Sequence, residues 1–416
     1  MIPFQPRLLR NMDWPILILS GILSTMGLIT LFSVGYTSMQ QTSFLGIPLL
    51  LLKQIGVFLM ALIAFSFFTY LDFSLLRRAS PWFYGISIFL LIGVLFFGES
   101  AYGAQRWISI GPLGLQPSEL AKLGFIFLLA HFLSRQEYVQ TLSHTILPGF
   151  LLFALPFLLI FKQPDLGTAL ILLGILLGLF LWGRVSPFYI VALIAPVVSF
   201  LLSPVLWLWL PTVFNFCLYF FLSKMDPREA FFFSALTLLA GLAFPLFWNI
   251  LKPYQQARFL AFLHPGWDPH GAGYHTIQSK IAIGSGGFFG KGFLGGSQTQ
   301  LGFVPEQETD FIFSAIGEAW GFWMCGGVIL LFFLLVVRIF YIASTCPDRF
   351  GSFLACGIGT MILLHFFINI GMTVGLLPVV GIPLPFLSSG GTSLVAHWIS
   401  IGILESIAIR RQKLLF

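Results

Sequence analysis

The side chains able to do chemistry in this chain gather at a few places. Asp268 stands in GWDPHGAGYH, a carboxylate followed by proline and glycine, which is the ordinary make-up of a turn. Set near Arg258, His275 and Lys280, it could also act as a general base toward a substrate hydroxyl within hydrogen-bond reach. Glu119 and Lys122, three apart in QPSELAKL, share one helix face. Pro117 suits the first turn of that helix, and an acid there complements its dipole. The plain reading is a structural ion pair, but charges inside an apolar span are costly and usually face a protein interior or a water-filled cavity. Arg106, in GAQRW, could anchor at an interface beside Trp107 or grip a phosphate with its planar fork. Asp165, three before Thr168 in QPDLGT, has helix N-cap spacing, and the cap is the simpler reading. Glu306, Glu308 and Asp310 could hold a divalent cation, although solvated loop acids are commoner. His365 and Asn369, four apart, fit inter-helix hydrogen bonds. Together these residues describe mixed charge, a free carboxylate and cations suited to a phosphate-bearing substrate, without specifying a reaction.

The elements that must position them are membrane helices. Of 416 residues, 58% are hydrophobic and only 9% charged. A soluble surface needs about 25% charged residues. Mean hydropathy is +0.95, and the apolar residues form runs at 15–36, 54–71, 82–98, 118–133, 146–161, 166–182, 186–203, 205–223, 230–250, 320–343, 351–371 and 391–408. Runs near 20 residues cross about 30 Å of hydrocarbon as helix, and lipid forces the backbone to satisfy itself within each segment. The fold class is therefore all-α and polytopic, a single membrane domain over 1–416. Pro204 and Pro211 leave 186–250 open between three spans and one span with re-entrant pieces. The first run is too long for a signal-peptide core and reads as an uncleaved span. Cys217, Cys325, Cys346 and Cys356 lack CxxC spacing and read as small core residues.

Charge sets the orientation. With twelve spans, alternate gaps or nearby span ends hold Arg7, Arg10, Arg77, Arg78, Arg135, Arg184, Lys224, Arg228, Arg338, Arg349, Arg410, Arg411 and Lys413. This excess places both termini in the cytoplasm. It also accounts for the net charge of +6 without nucleic acid. Lys53, Arg106, Lys162, Lys252, Arg258, Lys280 and Lys291 then lie outside. The outer segment 252–310 is far longer than an ordinary connection. Its aromatics argue for folded structure, with a short interfacial helix over Tyr274–Ile283 and glycines from Gly284 to Gly296 that permit tight turns.

The strings GAQRWISIGPLGLQPSELAKL, KQPDLGTA, DPHGAGYHTIQSKIAIGSGGFFGKG, FVPEQETDFIF and NIGMTVGLLPVVGIPLPFLSSGG strongly resemble the SEDS (shape, elongation, division and sporulation) family, in the family's order and across nearly the whole chain. GAGYHTIQSKIAIGSGG is more like the elongation members than the division members. The resemblance implies a helix bundle with a core of ten spans, here with two extra in 186–250. It implies a peptidoglycan glycosyltransferase of the bacterial cytoplasmic membrane that polymerises lipid II on the outer face beside a class B penicillin-binding protein. Asp268 takes the place of the family's essential loop aspartate, as general base. Arg106, Glu119, Lys122, Asp165 and Lys280 are then expected around the substrate and its pyrophosphate, with Mg2+ or Mn2+ as a possible helper. Three features depart from the family: the longer 186–250 stretch, His264 where relatives often carry Asp, and Glu308 where many carry His. A lipid II flippase, a division-type polymerase and a non-enzymatic scaffold remain alternatives.

Overall fold

The computed structural model describes residues 11–36, 43–44, 47–101, 104–110, 113–136, 142–223, 226–250, 256, 260, 271 and 273–411. Its helices are α1 (Trp14–Gly35), α2 (Leu49–Tyr70), α3 (Phe73–Phe97), α4 (Pro117–Arg135), α5 (Leu147–Lys162), α6 (Leu166–Trp182), α7 (Pro187–Leu202), α8 (Leu206–Leu222), α9 (Pro227–Leu242), α10 (Phe244–Ile250), α11 (Tyr274–Gly286), α12 (Ser297–Gln300), α13 (Ile312–Thr345), α14 (Arg349–Thr373) and α15 (Gly391–Arg411). Every predicted apolar run coincides with helix. Among the described residues, seven helices are long and apolar enough to cross a membrane, and α9 with α10, bent by 44°, makes an eighth. The shorter apolar helices α6, α7 and α8, with α4 and its buried charges, make up the rest of the twelve. At 16–17 residues α6, α7 and α8 reach about 25 Å, near the lower limit for a span. The 186–250 stretch is thus three helical pieces, the last one broken.

Local chemistry explains the helix starts. Asp72, Asp165, Asp226 and Asp348 each cap a helix by accepting a backbone N–H, from Ser74, Thr168, Arg228 and Gly351 respectively. The Asp72 cap begins α3 nine residues before the apolar run starts, so Arg77 and Arg78 lie on helix rather than in a loop. Proline at the first position opens α4, α7 and α9, where its missing N–H costs nothing.

Two helices form the centre. In α15 and α14, 89% and 72% of the apolar window is buried, against 28% for α2 and α3. α15 lies along α2; α14 packs on α13, α6 and α4; α4 packs on α3. The buried polar residues His365, Asn369, Thr373, Ser393, His397 and Ser400 all sit on these two central helices. Polar groups face protein and apolar ones face lipid, as an apolar solvent requires.

The polar segment after α3 holds strand rather than plain loop. After a short hairpin of β1 (Ser43–Phe44) and β2 (Ile47–Pro48), β3 (Glu99–Ala101), β4 (Ala104–Ile110) and β5 (Leu113–Leu115) form an antiparallel meander, with Ile108 opposite Leu115 and Ser109 opposite Gly114. The meander leads directly into α4. Thr392, at the start of α15, donates to Gly114 O (2.9 Å) and accepts from Gln116 N (3.1 Å). That pair of bonds joins the N-terminal ends of α4 and α15.

Candidate functional site

Glu119 and Lys122 occupy the first turns of α4 and are almost wholly buried. Lys122 Nζ donates to Glu119 Oε1 at 2.7 Å and to His365 Nε2, on α14, also at 2.7 Å. Because Nε2 accepts from the ammonium, the remaining proton of the neutral ring is on Nδ1, which donates to Met361 O at 2.8 Å. The His365 ring meets His397, on α15, edge to face at 4.9 Å. His397 Nδ1 lies 2.7 Å from Ser393 O, and Nε2 has no hydrogen-bond partner among the described residues. One acid, one base and two imidazoles thus join three helices in a place closed to water. Ser118 Oγ and Asn369 Oδ1 are further buried atoms lacking a hydrogen bond among the described residues. Such atoms call for a water or a ligand's polar group.

The loops around this cluster are tied down. Asn369 Nδ2 donates to Asp310 O (2.8 Å) and Ile382 O (2.7 Å). Ser388 Oγ donates to Thr309 O (2.5 Å), and Ser389 N and Oγ both donate to Glu308 O (2.8 Å). The chain before α13 and the chain before α15 therefore form one polar rim. Sequence reasoning missed His397 and underused His365. The signal available was an ionisable residue inside a span, with Ser393 one turn before His397.

The other expected residues are distributed as follows. Asp165 caps α6, accepting from Thr168 N (3.2 Å) and Oγ1 (2.9 Å), as the simpler reading had it. Arg106 lies 3.9 Å from the Asp165 carboxylate through Nη1 and donates to Gln163 O (3.3 Å) and Pro164 O. It clamps the α5–α6 corner while staying partly exposed, at 24% of its side chain. Lys280 projects from α11, exposed, against the positive-φ Gly375 that follows α14, and makes no side-chain hydrogen bond among the described residues. Asp268 lies outside the described residues, as does His264.

The long polar segment before α13 is anchored by a residue that sequence reasoning passed over. Helix α11 covers Tyr274–Gly286, containing the predicted Tyr274–Ile283 helix. Glu318, fully buried on α13, accepts from Lys291 Nζ (2.9 Å), Gln298 N (2.8 Å) and Thr299 N (2.8 Å). The backbone then breaks at Gly321, whose φ of 74° places it in the left-handed region. Gln300 Nε2 donates to Ser33 O (2.8 Å), and Phe293 stacks on Phe32 at 6.0 Å, so this segment also rests on α1.

The expected Mg2+ or Mn2+ needs several oxygen or imidazole donors. No three His, Cys, Asp or Glu side chains converge among the described residues, and Glu119 is already engaged by Lys122.

Fold and site define a polytopic helical membrane protein with a buried charged cluster beneath an ordered extramembrane rim. The family model FTSW_RODA_SPOVE, described as a cell cycle protein, matches residues 13–413, and the chain belongs to that family. It is 35% identical over 432 residues to the peptidoglycan glycosyltransferase RodA of Treponema pallidum, covering 96% of this chain and 98% of the relative. It is 36% identical over 365 residues to the peptidoglycan glycosyltransferase MrdB of Escherichia coli K12, covering 87% and 86%. A solved chain described under structural coordination of polymerization and crosslinking by a peptidoglycan synthase complex superposes with a TM-score of 0.72 at 30% identity, covering 96% of this chain and 98% of that one.

Proposed function

We propose that this protein is a peptidoglycan glycosyltransferase that polymerises lipid II on the outer face of the cytoplasmic membrane during cell-wall elongation, beside a class B penicillin-binding protein. The observation that carries the reading is the buried Glu119–Lys122–His365 constellation at the rim end of α4, in a chain whose relatives bear that enzyme's name. Charges held this deep in a membrane protein mark function more often than stability.

The reaction joins a sugar hydroxyl to the anomeric carbon of a second, lipid-linked sugar. The new C–O bond forms as the bond to undecaprenyl pyrophosphate breaks. Asp268 takes the hydroxyl proton, a contribution of roughly 10²–10⁴-fold for positioned general-base catalysis. Charge then grows on the leaving pyrophosphate, which needs cations already in place. Arg106 and Lys280 are the partly exposed cations a pyrophosphate can reach directly. Lys122, enclosed between Glu119 and His365, contributes through its field, and Asp165 keeps Arg106 aimed. The lipid tail explains a site at the membrane boundary, since the substrate never leaves the bilayer.

Purified protein with its partner and lipid II in detergent tests this, wild type against Asp268→Ala. Glycan chains from wild type and none from the variant are expected. Lipid II that crosses vesicles without ever polymerising sinks the proposal in favour of transport. If neither occurs and the partner's activity still depends on this chain, a scaffold is the answer.

A further inference from the structure

A second charged cavity lies at the other end of α4, sixteen residues and about 24 Å of helix from Glu119. Its volume is about 470 Å³, within the roughly 300–1,000 Å³ usual for small-ligand sites. Three helix ends build it: Arg77 on α3, Ser134 and Arg135 closing α4, and Asp348, Arg349 and Phe350 at the start of α14. Arg77 is fixed there, donating through Nη2 to Asp348 Oδ2 (2.6 Å) with its guanidinium 5.1 Å from the centre of the Phe350 ring. Arg77 Nε is buried and has no hydrogen-bond partner among the described residues. Asp348 also caps α14 through Gly351 N (2.8 Å), so its charge is matched locally. Arg135 and Arg349 are exposed and make no ion pair or side-chain hydrogen bond among the described residues. The negative end of α4 favours Arg135, whereas Arg349 and Arg77 stand near the positive ends of α14 and α3.

Two guanidiniums without an ion pair among the described residues, and a third with a buried unused N–H, surround one open space. Planar forks converging in this way match a phosphate group. The site stands where three helices of the membrane bundle end, which sets it at one face of that bundle. Basic pockets between helices at a membrane face bind anionic headgroups. We propose that this cavity binds the phosphodiester headgroup of an anionic phospholipid, held by Arg77, Arg135 and Arg349. The proposal does not depend on the glycosyltransferase reading.

The full-length protein, purified in detergent, is offered equal amounts of phosphatidylglycerol and phosphatidylcholine with identical chains, and bound lipid is read by native mass spectrometry. Wild type should favour phosphatidylglycerol by roughly tenfold or more, the scale expected for two basic residues near an anionic headgroup. R135Q/R349Q should approach parity, and R135K/R349K should keep most of the preference. Parity in wild type, or an undiminished preference in R135Q/R349Q, overturns the proposal. Displacement of the lipid by an equal concentration of glycerol phosphate overturns the membrane source and assigns a soluble phosphate instead. Should R135Q/R349Q fail to fold, added salt decides on the wild type: a preference that falls with salt supports the site, and one indifferent to salt sinks it.

Discussion

Lys122, fully buried, holds its ammonium between a carboxylate and an imidazole, so removing one charge of the Glu119–Lys122 pair leaves the other unpaired. Lys122→Met would leave Glu119 as an unpaired buried anion, a change that destabilises by about 3–5 kcal/mol in comparable sites. Thermal unfolding in detergent should show it plainly. Replacing both residues, as Glu119→Gln with Lys122→Met, removes the charges together and should recover most of that stability. If the pair also serves the reaction, the recovered double variant still makes glycan at least about tenfold more slowly, the cost of losing one preorganised charge. A stable double variant with wild-type activity would reduce the pair to architecture. Asp165 is expected to differ: Asp165→Asn keeps an N-cap acceptor, so stability should change by less than about 1 kcal/mol while the Arg106 side chain loses its carboxylate partner. A fall in activity without a fall in stability would place the importance of this corner in the aim of Arg106.

At the scale of elements, the segment from Gly287 to Gln300 has almost no secondary structure of its own and is ordered by contacts to α13 and α1. Glu318→Gln would weaken the acceptor shared by Lys291 Nζ and the amides of Gln298 and Thr299. Charge-assisted hydrogen bonds contribute about 1.5–3 kcal/mol each, so amide exchange over 287–300 should quicken roughly ten- to hundredfold, measured by mass spectrometry. Gly321→Ala should disturb the same junction for another reason. Its φ is positive, and a Cβ there would meet Gly290 N and Phe288 O. Very little of this was legible in the sequence. Apolar runs located every membrane helix because lipid imposes a continuous hydrophobic stretch, and the cap at Asp165 follows from its local spacing. The β3–β5 meander and the role of Glu318 depend on partners distant in sequence, for which no periodicity exists. The ion pair of Glu119 and Lys122 was readable from three-residue spacing. Its extension to His365 and His397 was not, because it needs the packing of α4, α14 and α15.

The molecule as a whole is polarised along its helices. One end carries Asp13, bound by Arg338 Nε and Nη2 at 2.8 and 2.9 Å and approached by Arg411 at 3.5 Å, with its backbone N–H donating to Glu405 at 2.8 Å. This network joins α1, α13 and α15 at the end where Arg77, Arg135 and Arg349 also lie. The opposite end carries the meander, α11, the polar rim and the exposed cations Lys280 and Lys291. Arginine-rich loops favour the cytoplasmic side because translocating them is unfavourable, and the proposed polymerisation requires the rim to be the outer face. Cysteine labelling in intact cells checks the orientation directly. In a background without the native cysteines, Phe289→Cys on the outer segment, at a position 84% exposed, should react with a membrane-impermeant maleimide. Arg78→Cys, exposed at the opposite end, should react only after the membrane is opened. The reverse pattern would put the Glu119–Lys122 cluster on the cytoplasmic side, where no glycan strand could be delivered to the wall, and the polymerase reading would fail with it.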